Sequence, residues 1–208
     1  DHTRIKLTFR AWETVTSAPS WILYRSSIKT RRKTHKKVLL SGLPLSDLKK
    51  QAWRREVTKF DPPWDLTKFS LTIEEIISLT DREDIDARLI TNAAELLFGP
   101  FEGRDIRSKL LAKESILLVQ GLEQYFKSVR RLILSHFDFI PAWQLDDVMG
   151  SVNYNPASCG AHFDQYDVFL LQHTGEKKWY FDETVHCDDD LDENSEIRLL
   201  KNFSPSNE

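Results

Sequence analysis

Apolar and polar positions follow several rhythms along this chain, and each predicts a different element. Leu45 to Val57 is weakly helical, and Pro62-Pro63 breaks the chain after it. Thr72 followed by Glu75 is a capping-box signature, predicting a helix through Leu79 with Ile73, Ile76 and Ile77 inward. Arg88-Leu89-Ile90-Thr91 reads as a short strand, and Leu96 to Phe101 as another that ends in a turn. From Glu114 to Ser135, apolar residues recur at three- and four-residue spacing (Leu117, Leu118, Leu122, Tyr125, Val129, Leu132, Ile133), which predicts one long amphipathic core helix. After Pro141 the texture turns to strands: Asp147 to Tyr154, a loop at Asn155 to Gly160, and Asp167 to Gln172. Thr174-Gly175 supplies a turn, and Lys178 to Phe181 is the expected hairpin partner. Asp182 to Glu196 holds eight acids and reads as a solvated loop. A helical front half followed by short strands predicts an α+β fold, a sandwich or barrel with a helical buttress. No internal repeat is visible.

Composition narrows the class. The 208 residues suffice for one domain or a domain and a half, and 40% hydrophobic content can fill a core. No apolar run approaches the roughly 18 residues of a membrane-spanning helix. Two cysteines, Cys159 and Cys187, are too few for a disulfide scaffold or a cysteine-only zinc site. The net charge of -3 conceals an asymmetry: residues 1–40 carry ten Lys/Arg against two acids, leaving 19 against 30 in the rest. An acidic body argues against a general nucleic-acid-coating surface. Residues 1–42, whose most basic run is Arg31 to Lys37, are read as an unordered extension, an organelle-targeting leader or a basic arm. Asp1 in place of Met, and a turn-like ending, predict an excerpt of a longer chain.

The phrase with chemistry in it is Gly160-Ala161-His162-Phe163-Asp164-Gln165-Tyr166-Asp167. On an extended strand, residues i and i+2 project to one face, so His162 and Asp164 can point together. An imidazole beside a carboxylate forms two corners of the two-histidine, one-carboxylate triad that holds iron(II) and leaves positions open. Alone, His-x-Asp is weak evidence, because a hydrogen-bonded structural histidine gives the same letters.

The surrounding segments sharpen it. Trp143 to Met149, His162 to Phe169 and Gly175 to Trp179 together resemble the cupin-4 branch of the JmjC-type oxygenases, the ribosomal oxygenases. Upstream, Asp86 to Ile90, Gly99-Pro100-Phe101 and Leu117 to Gln120 fall in the order that family shows. The likeness covers residues 69–181 and is absent at 1–42. It implies a double-stranded β-helix whose first half occupies residues 142–208, behind a helical part at 43–141. It also implies an iron(II)- and 2-oxoglutarate-dependent hydroxylase acting on an arginine or histidine side chain of a ribosomal protein. On this likeness His162 and Asp164 are the first two iron ligands, and Lys177 pairs with the far carboxylate of 2-oxoglutarate. The arginine-hydroxylating members use Arg there; Lys supplies a point charge without the bidentate fork. Eight residues of straight strand between Asp164 and Gln172 would span roughly 27 Å, so Lys177 needs curvature or a bulge to approach the pair.

The second histidine of the triad is expected beyond Glu208, with His173 and His186 read as ordinary surface residues. Ser151 and Asn153 alternate so as to face inward, as candidates for cosubstrate hydrogen bonds or as sheet filler. Tyr166 and Asp167 are candidates for the substrate mouth or, for Tyr166, barrel packing; Met149 and Trp143 are read as core, and Cys159 as a small filler. The alternative functions are a non-catalytic cupin-fold interaction domain without a complete triad, and a metal-dependent cupin of another chemistry such as an isomerase. The resemblance implies a homodimer; composition argues against a membrane, and the compartment, cytoplasm or an organelle such as the mitochondrion ahead of the nucleus, depends on how the basic segment is read.

Overall fold

The computed structural model describes in full residues 71–91, 95–164, 166–175, 177, 179–180, 186–195 and 197–203. It also describes residues 47 and 57, and the backbone of strands β1 (Ile5–Trp12), β2 (Trp21–Tyr24), β3 (Leu39–Pro44) and β4 (Thr58–Asp61). The remaining strands are β5 (Ala87–Thr91), β6 (Leu96–Phe98), β7 (Ser115–Val119), β8 (Leu145–Asn153) and β9 (Asp167–Thr174). Among the described residues they are accompanied by helices α1 (Ile73–Ile77), α2 (Gly103–Ala112), α3 (Leu122–Tyr125) and α4 (Lys127–His136). The fold is α+β, with the strands joined in the order β3-β4-β2-β9-β1-β8-β7-β5-β6. The pairs β5–β6, β5–β7, β7–β8, β2–β4 and β2–β9 are antiparallel, whereas β1 runs parallel to both β8 and β9.

Two expectations need correction here. Residues 1–42, for which one reading is an unordered extension, contribute β1, β2 and most of β3 to this sheet. Ile5, Leu7, Phe9 and Ala11 alternate with Lys6, Thr8 and Arg10, the period-two pattern that a strand accepts. The basic run at 31–37 lies outside the described residues. The long helix at 114–135 is not formed either: Ser115–Val119 is strand β7, and the chain is helical only after Gly121. Ile116, Leu117 and Val119 are all fully buried, which a one-sided amphipathic helix cannot achieve but a strand covered on both faces can. Gly121, at φ 73°, supplies the left-handed break that lets α3 begin. The part at 43–141, expected to be helical, therefore alternates helix and strand.

The helices cover one face of the sheet. Ile76 and Ile77 of α1, Ile106 and Leu110 of α2, Leu122 of α3 and Val129, Leu132 and Ile133 of α4 pack on Leu89, Leu117, Val119, Val148, Val152, Phe169 and Leu171. Phe137, just past α4, meets Phe169 edge-on with ring centroids 5.0 Å apart, which ties α4 to β9. Gly150 allows α3 close to β8, because a Cβ there would lie 2.9 Å from Leu122. Glu123 Oε2 then accepts from the backbone N–H of Val148 at 2.9 Å. Helix α1 opens with the expected capping box, Thr72 N–H donating to Glu75 Oε2 at 2.7 Å and Glu75 N–H to Thr72 Oγ1 at 3.2 Å.

A second set of buried residues lies outside that core: Ile90, Ile116, Val168, Leu170 and Phe163. Strand alternation puts Ile90, Ile116, Ser151 and Asn153 on the sheet face opposite the helices. Ser151 and Asn153 are buried polar residues on that second face.

Candidate functional site

The site segment lies between β8 and β9. Asn153, which ends β8, donates from Nδ2 to the carbonyl of Asn155 at 2.8 Å, and Asn155 Nδ2 donates in turn to the carbonyl of Leu111 at 3.0 Å. This fastens the start of the loop to the last turn of α2. The loop then crosses Gly160, at φ 79°, where a Cβ would come within 2.5 Å of Leu199. Glycine is needed there for both reasons.

His162 and Asp164 do not sit on a named strand, contrary to the strand argument. His162 makes an isolated bridge to Leu199, and β9 begins only at Asp167. The two side chains nevertheless face each other: His162 Nε2 lies 4.0 Å from Asp164 Oδ2, with 38% and 29% of the side chains exposed. His162 Nδ1 is 2.9 Å from the carbonyl of Gly160. A carbonyl can only accept, so Nδ1 carries a proton and Nε2 is the ring nitrogen that faces Asp164. Fixing one ring nitrogen on a backbone carbonyl is how proteins prepare the other for a metal. An ion held by both at about 2.1 Å, near a right angle, would need the two donors roughly 1 Å closer than they stand. Among the described residues no group of three His, Cys, Asp or Glu is arranged to hold a metal ion.

Tyr166 hydrogen-bonds the Asp164 side chain. Burial, then the charges of Asp164 and Asp147, push its phenol well above the ordinary tyrosine range, so it remains a donor. Asp167 is buried at the first position of β9. Ser151 is 1% exposed and its Oγ has no hydrogen-bond partner among the described residues. A buried hydroxyl left in that condition is costly, and a polar ligand on the second face would relieve it. Lys177 places its Nζ 5.6 Å from the centre of the Trp179 ring. Residues 177, 179 and 180 are not in a strand, so the hairpin partner expected at 178–181 is not formed by the residues described there.

The two other histidines are not ordinary surface residues. His173 Nε2 donates to the carbonyl of Leu71 at 2.9 Å, and burial lowers its pKa. His186 is 14% exposed, lies 3.6 Å from Asp190 through Nδ1, and stacks on Phe163 with centroids 6.4 Å apart. Trp143, read as core, is exposed, and Met149 is half-buried. The acidic stretch is folded where it is described: Asp188–Asp190 form a 3-10 turn, and residues 190–192 run beside 199–201. The sequence reading gives Gly160 and Phe163 no role of their own, reads His186 as a surface residue and misses Arg198 as a neighbour of the site. Phe163 between two candidate ligands was the available signal, since a buried aromatic there must pack on something.

Residues 132–208 match the JmjC domain family. Over 131 residues, 61% of this chain and 32% of the relative, the chain is 36% identical to the Haemophilus influenzae protein named "Probable ribosomal oxygenase". Over 121 residues, 55% of this chain and 31% of the relative, it is 31% identical to the Escherichia coli "Ribosomal protein uL16 3-hydroxylase". The chain is thus similar to JmjC-domain ribosomal oxygenases, and it spans about a third of the length of the curated relatives it matches. Among the described residues no helix is long and apolar enough to cross a membrane.

Proposed function

We propose that this chain carries His162 and Asp164 as two of the metal ligands of an iron(II)- and 2-oxoglutarate-dependent hydroxylase of ribosomal protein side chains. The observation that carries the reading is the His162 imidazole, tied by Nδ1 to Gly160 with Nε2 directed at the Asp164 carboxylate. Histidine nitrogen and carboxylate oxygen fit a divalent first-row metal, and iron(II), when bound, supplies the activation of dioxygen. The names of the two bacterial relatives support a ribosomal protein as substrate.

The chain's own residues prepare the site. The Gly160 carbonyl holds the His162 tautomer, and the Tyr166 phenol donates to Asp164 and limits its rotation. The Ser151 hydroxyl, with Asn153 two residues on along β8, offers hydrogen bonds to the cosubstrate, and Lys177 offers a cation to its far carboxylate. Asp167 and Tyr166 flank the approach of an arginine or histidine side chain. Residues 145–174 are read as the opening strands of the double-stranded β-helix.

The test is succinate release from 2-oxoglutarate in the presence of iron(II) and a ribosomal protein peptide, compared between the full-length protein and its His162→Ala variant. Turnover that needs both iron and 2-oxoglutarate and is lost in the variant supports the reading; equal turnover in the variant sinks it. If the folded parent binds neither iron(II) nor manganese(II), the non-catalytic interaction domain is the better account.

A further inference from the structure

Residues 197–201 lie between two other extended segments. On one side His162 bridges to Leu199, and Leu200 N–H donates to the carbonyl of Ala161 at 2.8 Å. On the other, Asp192 N–H donates to Leu199 at 2.7 Å and Lys201 N–H to Asp190 at 2.9 Å. Side chains close a circuit around this backbone. The Arg198 guanidinium lies 5.7 Å from the centre of the Phe163 ring, and it pairs with Asp188 at 2.6 Å. Asp188 opens the turn that ends at Asp190; Asp190 accepts from Cys187 N–H at 2.8 Å and neighbours His186, which stacks back on Phe163.

Phe163 is 6% exposed although it stands between two partly exposed ligand candidates. His162 and Asp164 have no strand ladder beyond the single bridge to orient them, so what holds Phe163 also sets where its two neighbours point. We infer that residues 186–195 and 197–201 form a clamp whose grip on Phe163 positions the His162–Asp164 pair, with Arg198 as the positioning residue. The inference rests on the metal-binding reading of that pair. An arginine on an aromatic face and an ion pair to Asp188 are attractions that glutamine lacks and lysine keeps in part.

The experiment titrates manganese(II) into the parent chain, Arg198→Gln, Arg198→Lys and Phe163→Leu, reading free ion by electron paramagnetic resonance and folding by thermal melting. Arg198→Gln is expected to bind manganese about tenfold more weakly, as loss of an orienting partner does, at a melting temperature close to the parent's. Arg198→Lys is expected to recover part of the affinity, and Phe163→Leu to lose at least as much as Arg198→Gln. Equal affinity in Arg198→Gln and the parent would overturn the clamp, as would an affinity loss that only tracks a fall in melting temperature. A parent chain that binds no manganese would instead remove the metal-binding reading, and the clamp's positioning role with it.

Discussion

The imidazole of His173, near the end of β9, hydrogen-bonds through Nε2 to the carbonyl of Leu71, just before α1, across 102 residues of sequence. This one contact ties the end of the strand that follows the site to the start of the helical layer. Burial lowers the pKa of His173 from its ordinary 6.5, while the bond to Leu71 opposes the shift. The unfolded chain therefore takes up this proton before the folded one does. Stability should be complete above about pH 6.5 and fall as pH drops through that value, levelling off once the folded state is protonated. Denaturant midpoints measured at pH 7.5 and 5.5 should show this fall, and His173→Gln, which keeps a donor but cannot titrate, should shrink it. At pH 7.5, His173→Ala should cost about 1–2 kcal/mol by leaving the Leu71 carbonyl without its partner.

Gly160 and Gly103 should respond in opposite ways to the same substitution. At Gly160 a Cβ would lie 2.5 Å from Leu199 in a left-handed backbone, so Gly160→Ala should destabilise by about 1–2 kcal/mol. At Gly103, the first residue of α2, it would meet only Ile77 at 3.7 Å, and Gly103→Ala should be neutral or slightly stabilising. Paired urea titrations of the two variants check the contrast.

Tyr166→Phe keeps the ring and removes the hydroxyl that bonds Asp164. With the carboxylate less constrained, manganese(II) affinity should fall roughly tenfold while the melting temperature stays near that of the parent. Calorimetric titration measures it; undiminished affinity would show that Asp164 is held without the phenol.

Thr72→Ala removes one half of the capping box, exposing the first turn of a five-residue helix that carries the buried Ile76 and Ile77. The expected loss is about 1 kcal/mol. Since His173 is bonded to the neighbouring Leu71, the pH dependence in the variant should also weaken if α1 frays. Chemical denaturation at two pH values reads both effects.

Local chemistry made some of these features readable in advance. Thr72 and Glu75 announce a helix start whatever surrounds them, and Asp167 to Gln172 reads as a strand because the loop before it and the Thr174-Gly175 turn after it leave too little length for a packed helix. The run Ser115 to Val119 misled because four consecutive apolar residues satisfy a helical stripe and a doubly buried strand equally well. Deciding between them takes the antiparallel neighbours β5 and β8, which lie some thirty residues away in either direction. The stretch after Asp182 misled for the opposite reason. Eight acids read as solvated loop, yet at the described residues the backbone beneath them is paired with Leu199 to Lys201.

From its letters alone this chain specified an α+β composition, the capped helix at Thr72, the strand after Asp164 and an imidazole two residues from a carboxylate. Those depend on side-chain type and short spacing, which act within a few residues of chain. Only the tertiary structure decided that Nδ1 of His162 is bound to Gly160, that Tyr166 reaches Asp164, and that Arg198 and His186 close on Phe163. Those relations depend on where a loop without a regular ladder comes to rest. That is set by contacts between segments far apart in sequence, each too weak to be written into the local pattern.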